Sequence, residues 1–117
     1  MSKADLRHRL DRADEIKLSV KGRISGKDIA RPVWFVHEDN TLYLLPVQGS
    51  NTEWYKNLRA NPTLKISVND IETPARGELI TDSESVDDIL KKFKSKYGEG
   101  EVKKYYSIFD AAVVVPL

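Results

Sequence analysis

The stretch Leu42–Pro62, LYLLPVQGSNTEWYKNLRANP, limits what this chain can fold into more than any other. An apolar run of strand length (Leu42, Tyr43, Leu44, Leu45) meets Pro46, which has no N–H to give to a ladder, so pairing stops or moves to an edge there. A loop with Gly49, Ser50 and Asn51 then leads into a short helix beginning near Ser50 or Thr52. Both are good N-caps, and Ser50 with Glu53 fits a capping box. The pattern predicts a helix that packs through Trp54, Tyr55 and Leu58 and stops at Asn61-Pro62. A strand feeding such a loop into a helix aims free backbone N–H groups at one point, where a phosphate is readily held. An ordinary strand-to-helix connection fits the same residues.

A chain of 117 residues suits one domain, 1–117, comprising an N-terminal helix (1–15) and a barrel with inserted helices (16–117). Apolar residues at 40% and charged residues at 32% describe a globular chain. The 19 basic and 18 acidic side chains nearly cancel, which argues against a protein that neutralises many phosphates of a nucleic acid. With no cysteine, and with His8 and His37 far apart, thiolate chemistry is excluded and a metal centre or a Ser-His-Asp triad has little to build on. His37, followed by Glu38, Asp39 and Asn40, reads as a solvated turn residue. No apolar segment reaches the roughly 18 residues of a membrane span and the charged N-terminus does not read as a signal peptide, so a cytoplasmic location is expected.

In chain order, residues 2–14 read as a helix with Ser2 as N-cap, Asp5 three places on, and Leu6, Leu10 and Ala13 on one face. Ile16, Leu18 and Val20 alternate with Lys17, Ser19 and Lys21 as in a half-buried strand. The segment GRISGKDIARP carries Arg23, Lys27 and Arg31 around a turn at Ser25–Asp28, a bend suited to a phosphate or a carboxylate, or simply a solvated hairpin tip. Val33–Val36 forms a hairpin with the Leu42–Leu45 strand across Asp39-Asn40. Further strands follow at Leu64–Val68 and Thr73–Thr81, the second bulged or curved at Gly77. Thr81 with Glu84 suggests a second capping box, opening a helix whose stripe Val86, Ile89, Leu90, Phe93 and Tyr97 ends at Gly98. Its Lys91, Lys92, Lys94 and Lys96 read as a solvated face. Glu99–Ser107 suggests a helical turn bearing Tyr105 and Tyr106, and Ala111–Val115 a buried final strand. The sum is an α+β, mainly β fold, a closed six-stranded antiparallel barrel with short helices.

GRISGKDIARPVWFV, LYLLPVQGS, WYKNLRANP and DAAVVVPL together resemble the deazaflavin-dependent nitroreductase family of flavin/deazaflavin oxidoreductases, relatives of pyridoxamine 5′-phosphate oxidase with a split β-barrel. The likeness runs from about Ile16 to the C-terminus, and its most specific element is Trp54–Pro62. It implies FMN or coenzyme F-420 as cofactor, a hydride passed between that cofactor and a small organic acceptor, and a homodimer with the cofactor near its interface. The implied ring site uses Arg31, Pro32, Val33 and Trp34, and the strand end Leu45, Pro46, Val47 and Gln48, with backbone groups of Pro46–Gln48 bonding the ring edge. The anionic tail is directed to the bend (Arg23, Ser25, Lys27), to Gly49 and Ser50, and to the helix at Trp54, Tyr55 and Asn57. Tyr97, Tyr105 and Tyr106 are implied for the substrate pocket. No residue is assigned a catalytic proton transfer. Two other functions fit the residues: a flavin or haem carrier without turnover, and an oligonucleotide-binding barrel stacking bases on Trp34, Tyr43 and Trp54, which the charge balance disfavours.

Overall fold

The computed structural model describes residues 3–117; the expected cap at Ser2 lies outside them. The elements in order are α1 (Lys3–Arg12), β1 (Ile16–Lys21), β2 (Asp28–Val33), β3 (Phe35–Glu38), β4 (Thr41–Leu44), a 3-10 turn (Gly49–Asn51), α2 (Glu53–Ala60), β5 (Thr63–Val68), β6 (Ile71–Arg76), β7 (Glu78–Ile80), α3 (Ser83–Tyr97), α4 (Glu99–Tyr105) and β8 (Ala112–Pro116). The strands make two four-stranded antiparallel sheets, ordered β2-β1-β5-β6 and β3-β4-β8-β7. This corrects the closed six-stranded barrel.

Two of the expected strands are each broken between the sheets. The chain leaves β2 and enters β3 through Trp34, and leaves β6 for β7 through Gly77. The sequence marks the second break by a glycine. A Cβ on Gly77 would stand 2.9 Å from Cγ1 of the fully buried Val113 and 3.4 Å from Leu64 Cδ2. Its N–H donates to Pro62 O at 2.9 Å, so the crossing is anchored as well as tight.

The alternation of β1 and β5 buries Leu18, Val20, Leu64, Ile66 and Val68. They join Leu6 and Leu10 of α1, Trp54, Tyr55 and Leu58 of α2, and Phe35, Leu42, Leu44, Val113 and Val115 of the facing sheet in one core. A second core lies where Val36, Leu45 and Ala112 meet Val86, Ile89 and Phe93 of α3 and Val102 of α4. The β3–β4 hairpin closes through Asp39 and Asn40, both at positive φ (52° and 60°), the handedness that a two-residue loop needs.

Several local expectations are corrected. Helix α2 has Thr52 as N-cap with no side-chain cap bond, because Thr52 Oγ1 accepts from Gln48 N–H at 2.8 Å. Ser50 makes no capping box either, being bonded to Asp110. The N-cap of α3 is Asp82, accepting from Ser85 N–H at 3.0 Å, and not Thr81. β6 begins at Ile71, directly after a turn with Asn69 at positive φ (54°). His37 is no solvated turn residue. It lies in β3 with its side chain 6% exposed, Nδ1 2.8 Å from Asp11 Oδ1 of α1, and Nε2 buried without a partner. Lys96 stays exposed as a residue, but its ammonium folds back to donate to Ala13 O (3.2 Å) and Phe35 O (2.8 Å) above the Phe35 ring, and partial desolvation there lowers its pKa.

Because the fully buried Val113 would have to shift, Gly77→Ala is expected to destabilise the fold by about 1–3 kcal/mol through overpacking. Urea unfolding checks this; an unchanged midpoint would show that the crossing is looser than described.

Candidate functional site

The break at Trp34 opens a groove of about 840 Å³. One wall comes from β2 and its exit (Ile29, Arg31, Pro32, Val33, Trp34), another from Leu45 and Val47 beyond β4. Gly22–Ser25 and the start of α2 (Thr52, Glu53, Trp54, Asn57) close one end; Tyr105, Tyr106 and Glu15 complete the lining. The walls are mostly apolar and aromatic with a few polar groups, the usual make-up of a small-molecule site.

Trp34 is held from behind. Tyr97, at the end of α3, stacks on the indole with centroids 4.2 Å apart and planes within 9°. Its hydroxyl accepts from Phe35 N–H at 3.0 Å and lies 2.7 Å from Asp14 O and 2.8 Å from Phe35 O, both within donating reach. Burial pushes the Tyr97 pKa up to about 12, so the hydroxyl keeps its proton. Tyr105 meets Trp34 edge-on at 5.5 Å and Tyr106 is tilted at 6.0 Å. Tyr106 is buried, which raises its pKa as well.

At the opposite end Arg23 is bonded within the chain. Its backbone N–H (3.1 Å) and Nη1 (2.8 Å) both donate to Oδ1 of the buried Asn57, and Nη2 donates to Glu53 Oε2 at 2.8 Å. The Arg23 hydrogen bond holds the Glu53 carboxyl below its ordinary pKa. Arg31 bonds only the Ala30 carbonyl, at 2.9 Å, and meets no carboxylate among the described residues.

The groove thus gathers Arg23, Ser25, Arg31, Pro32, Val33, Trp34, Leu45, Val47, Trp54 and Asn57 of the expected cofactor residues, with Tyr105 and Tyr106. Seven expected residues do not line it. Tyr97 supports Trp34 from outside the groove. Tyr55, one position on from Trp54 along α2, turns into the core at 2% exposure. Lys27 donates its backbone N–H to Ser25 Oγ at 3.2 Å on the exposed bend. The loop after β4 is internally bonded: Pro46 O accepts from Gly49 N–H (3.1 Å), Val47 O from Ser107 N–H (2.9 Å), and Gln48 N–H is taken by Thr52. Gln48 N–H is therefore already taken, Val47 O accepts a second bond from Ser107 Oγ at 3.3 Å, and Pro46 O keeps one lone pair open. Ser50 N–H (2.8 Å) and hydroxyl (2.6 Å) donate to the two oxygens of Asp110. Gly49, at φ 55°, passes so close to Asp110 and Ile108 that a Cβ there would overlap both.

Residue reasoning missed Glu15, Gly22 and Thr52, and did not single out Ile24, Ile29 or Glu53, although these three fall in the spans Arg23–Ser25, Ile29–Trp34 and Glu53–Asn57 that the resemblance implied. Ile24 carried a signal: an isoleucine in a polar bend, 92% exposed. Among the described residues no group of three or more His, Cys, Asp or Glu could hold a metal, neither histidine reaches the groove, and no helix is long and apolar enough to cross a membrane.

A family model described as "Uncharacterized protein conserved in bacteria (DUF2255)" matches residues 6–114. The chain belongs to the DUF2255 family. No curated protein matches its sequence. Among solved structures it is similar to the F420-H2-dependent reductase FDR-A (20% identity, TM-score 0.68, 87% of this chain and 93% of that one). A Listeria innocua protein with the provisional name pyridoxamine 5′-phosphate oxidase is similar at 18% identity (TM-score 0.71, 96% and 90%). The haem storage protein HutZ of Vibrio cholerae is similar at 13% (TM-score 0.72, 97% and 87%). At these identities the likeness establishes the fold, which is that of the deazaflavin-dependent nitroreductases and pyridoxamine 5′-phosphate oxidase-like proteins.

The two Ser50 donors hold the Asp110 carboxyl below its ordinary pKa of 3.8. A depressed folded-state pKa gives stability that is complete above the ordinary value and lost as pH falls through the folded one. Asp110→Asn is therefore expected to lower stability at neutral pH and to flatten the decline in acid. Urea midpoints from pH 6 down to 2 check this, and an unaltered acid slope would contradict it.

Proposed function

We propose that the groove binds the planar ring of a flavin-type cofactor, FMN or coenzyme F-420, and that the protein is an oxidoreductase acting on a small organic acceptor. The observation that carries this reading is the Trp34 crossing: an indole stacked on Tyr97 and set among Pro32, Leu45 and Trp54, in a fold shared with an F420-H2-dependent reductase. The ring portion of such a cofactor fits these walls by size and by apolar character. The seat expected for its anionic tail is already engaged within the chain, Arg23 with Glu53 and Asn57 and Ser50 with Asp110, so an anion there competes with carboxylates.

When bound, the cofactor supplies hydride chemistry; the chain supplies position and exclusion of water. Trp34 offers an aromatic surface whose orientation is set by the Tyr97 stack and the hydroxyl anchor at Phe35. Pro32, Val33 and Leu45 present apolar edges, and Tyr105 stands half-exposed at the rim, where a second, smaller molecule can approach. The competing reading is a carrier that binds without turnover, and the shared fold of the haem storage protein favours including it. With no histidine on the wall, the groove lacks the commonest haem ligand.

The absorption spectrum of freshly purified protein, followed by titration of the apoprotein with riboflavin, FMN and F-420, tests the proposal. Saturable quenching of tryptophan emission is expected, weakened at least about tenfold by Trp34→Ala as a buried aromatic contact is lost. No saturable binding of any of the three would overturn it, and tight binding without acceptor-dependent reoxidation would favour the carrier.

The rim points to a homodimer. Ile24, Val47, Tyr105 and Ile108 are the large hydrophobics left exposed among the described residues, and the first three border the groove. A second copy covering them would bury this patch. Light scattering is expected to give twice the monomer mass, and Ile24→Glu to shift the protein towards monomer; a monomeric parent protein would contradict the assignment.

A further inference from the structure

At the Arg23 end of the groove, side chains of the chain itself already engage the arginine that an anionic tail would meet. Glu53 Oε2 lies 2.8 Å from Arg23 Nη2, while Asn57 Oδ1, on a side chain 4% exposed, holds Nη1 and the backbone N–H of the same arginine. The guanidinium is thereby fixed in place and neutralised together. The charged lining residues are Glu15, Arg23, Arg31 and Glu53, two of each sign, so the groove offers an incoming anion no net positive charge. A phosphate arriving at Arg23 meets a guanidinium already paired with Glu53, whose side chain is 73% exposed, and would have to sit beside that carboxylate.

We propose that Glu53 is a specificity-determining residue, its carboxylate neutralising Arg23 so that the groove takes a planar ring with an uncharged, hydroxyl-bearing tail and gains little from a terminal phosphate. The ring half of this statement rests on the function proposed above; the anion half rests on the Arg23–Glu53–Asn57 geometry alone.

Two titrations at fixed ionic strength separate them. In the first, riboflavin and FMN are titrated into the protein and into Glu53→Gln, which keeps the side chain's length and removes its charge. The parent protein is expected to bind the two within about threefold of each other, and the variant to prefer FMN by about tenfold, the size of one charge-assisted contact recovered. A parent protein that already prefers FMN by about tenfold or more, or a variant with an unchanged ratio, would overturn the proposal. In the second, inorganic phosphate is followed by phosphorus NMR. Glu53→Gln is expected to bind it at least about fivefold tighter than the parent, and Arg23→Gln/Glu53→Gln to lose that gain. Equal phosphate affinity in parent and single variant, or a gain that survives loss of Arg23, would overturn the proposal even if neither flavin binds. Failure of both flavins to bind, with the phosphate gain intact, would count against the ring reading and for the role of Glu53.

Discussion

The passage of the chain from one sheet to the other at Trp34 is the constraint on which the groove depends. A strand that continued unbroken would keep Pro32 and Phe35 in one sheet and leave no gap. Here Tyr97 takes the Phe35 N–H on its hydroxyl and covers one face of the Trp34 indole, while Lys96 bonds the Phe35 carbonyl. The last turn of α3 thus fixes the backbone at the break, and burial keeps the Tyr97 hydroxyl protonated so that it can serve as both acceptor and donor. The gap between β2 and the end of β4 persists because α3 is packed against β3 through Phe93 and Val86 in the second core. Gly77 makes the matching passage on the far side, where a Cβ would press on Val113.

Ligand selection follows from how the chain answers its own polar groups. A free arginine beside a bend and free N–H groups on a Gly-Ser loop would form a strong anion seat. In this protein Glu53 and Asp110 fill those roles, so both segments are ordered by internal ion pairing or hydrogen bonding. In the function proposed above, the apolar and aromatic walls would hold a flat, conjugated ring by stacking and by exclusion of water, beside Arg31, a cation at the edge that no carboxylate among the described residues neutralises.

Much of the fold was legible where periodicity is local. The alternation of Ile16, Leu18 and Val20, the stripe from Val86 to Tyr97, and Asp39-Asn40 between apolar runs each produced the element they suggest. The break at Gly77 divided one expected strand in two, and the break at Trp34 left Val33 in β2, which runs from Asp28 through what reads as a bend, because a crossing between sheets is set by packing against Val113 and Tyr97, distant in sequence. His37 was misread for the same reason: charge near a turn suggests solvent, and only the tertiary arrangement brings Asp11 to it, just as it alone brings the Phe35 carbonyl to the exposed Lys96. At the site, Arg23, Trp34, Leu45 and Trp54 were visible as unusual residues beside breaks in pattern. The pairing of Ser50 with Asp110 was not, since 60 positions separate them and either residue alone looks like an ordinary loop polar group.

The central claim is that Trp34 marks the seat of a planar guest between β2 and the end of β4. A crystal structure of the protein grown with riboflavin tests it most directly. The account predicts the tricyclic ring against Pro32, Trp34 and Leu45, with its ribityl chain running towards Arg23 and with the Arg23–Glu53 pair intact. A ring bound anywhere else on the protein would contradict it.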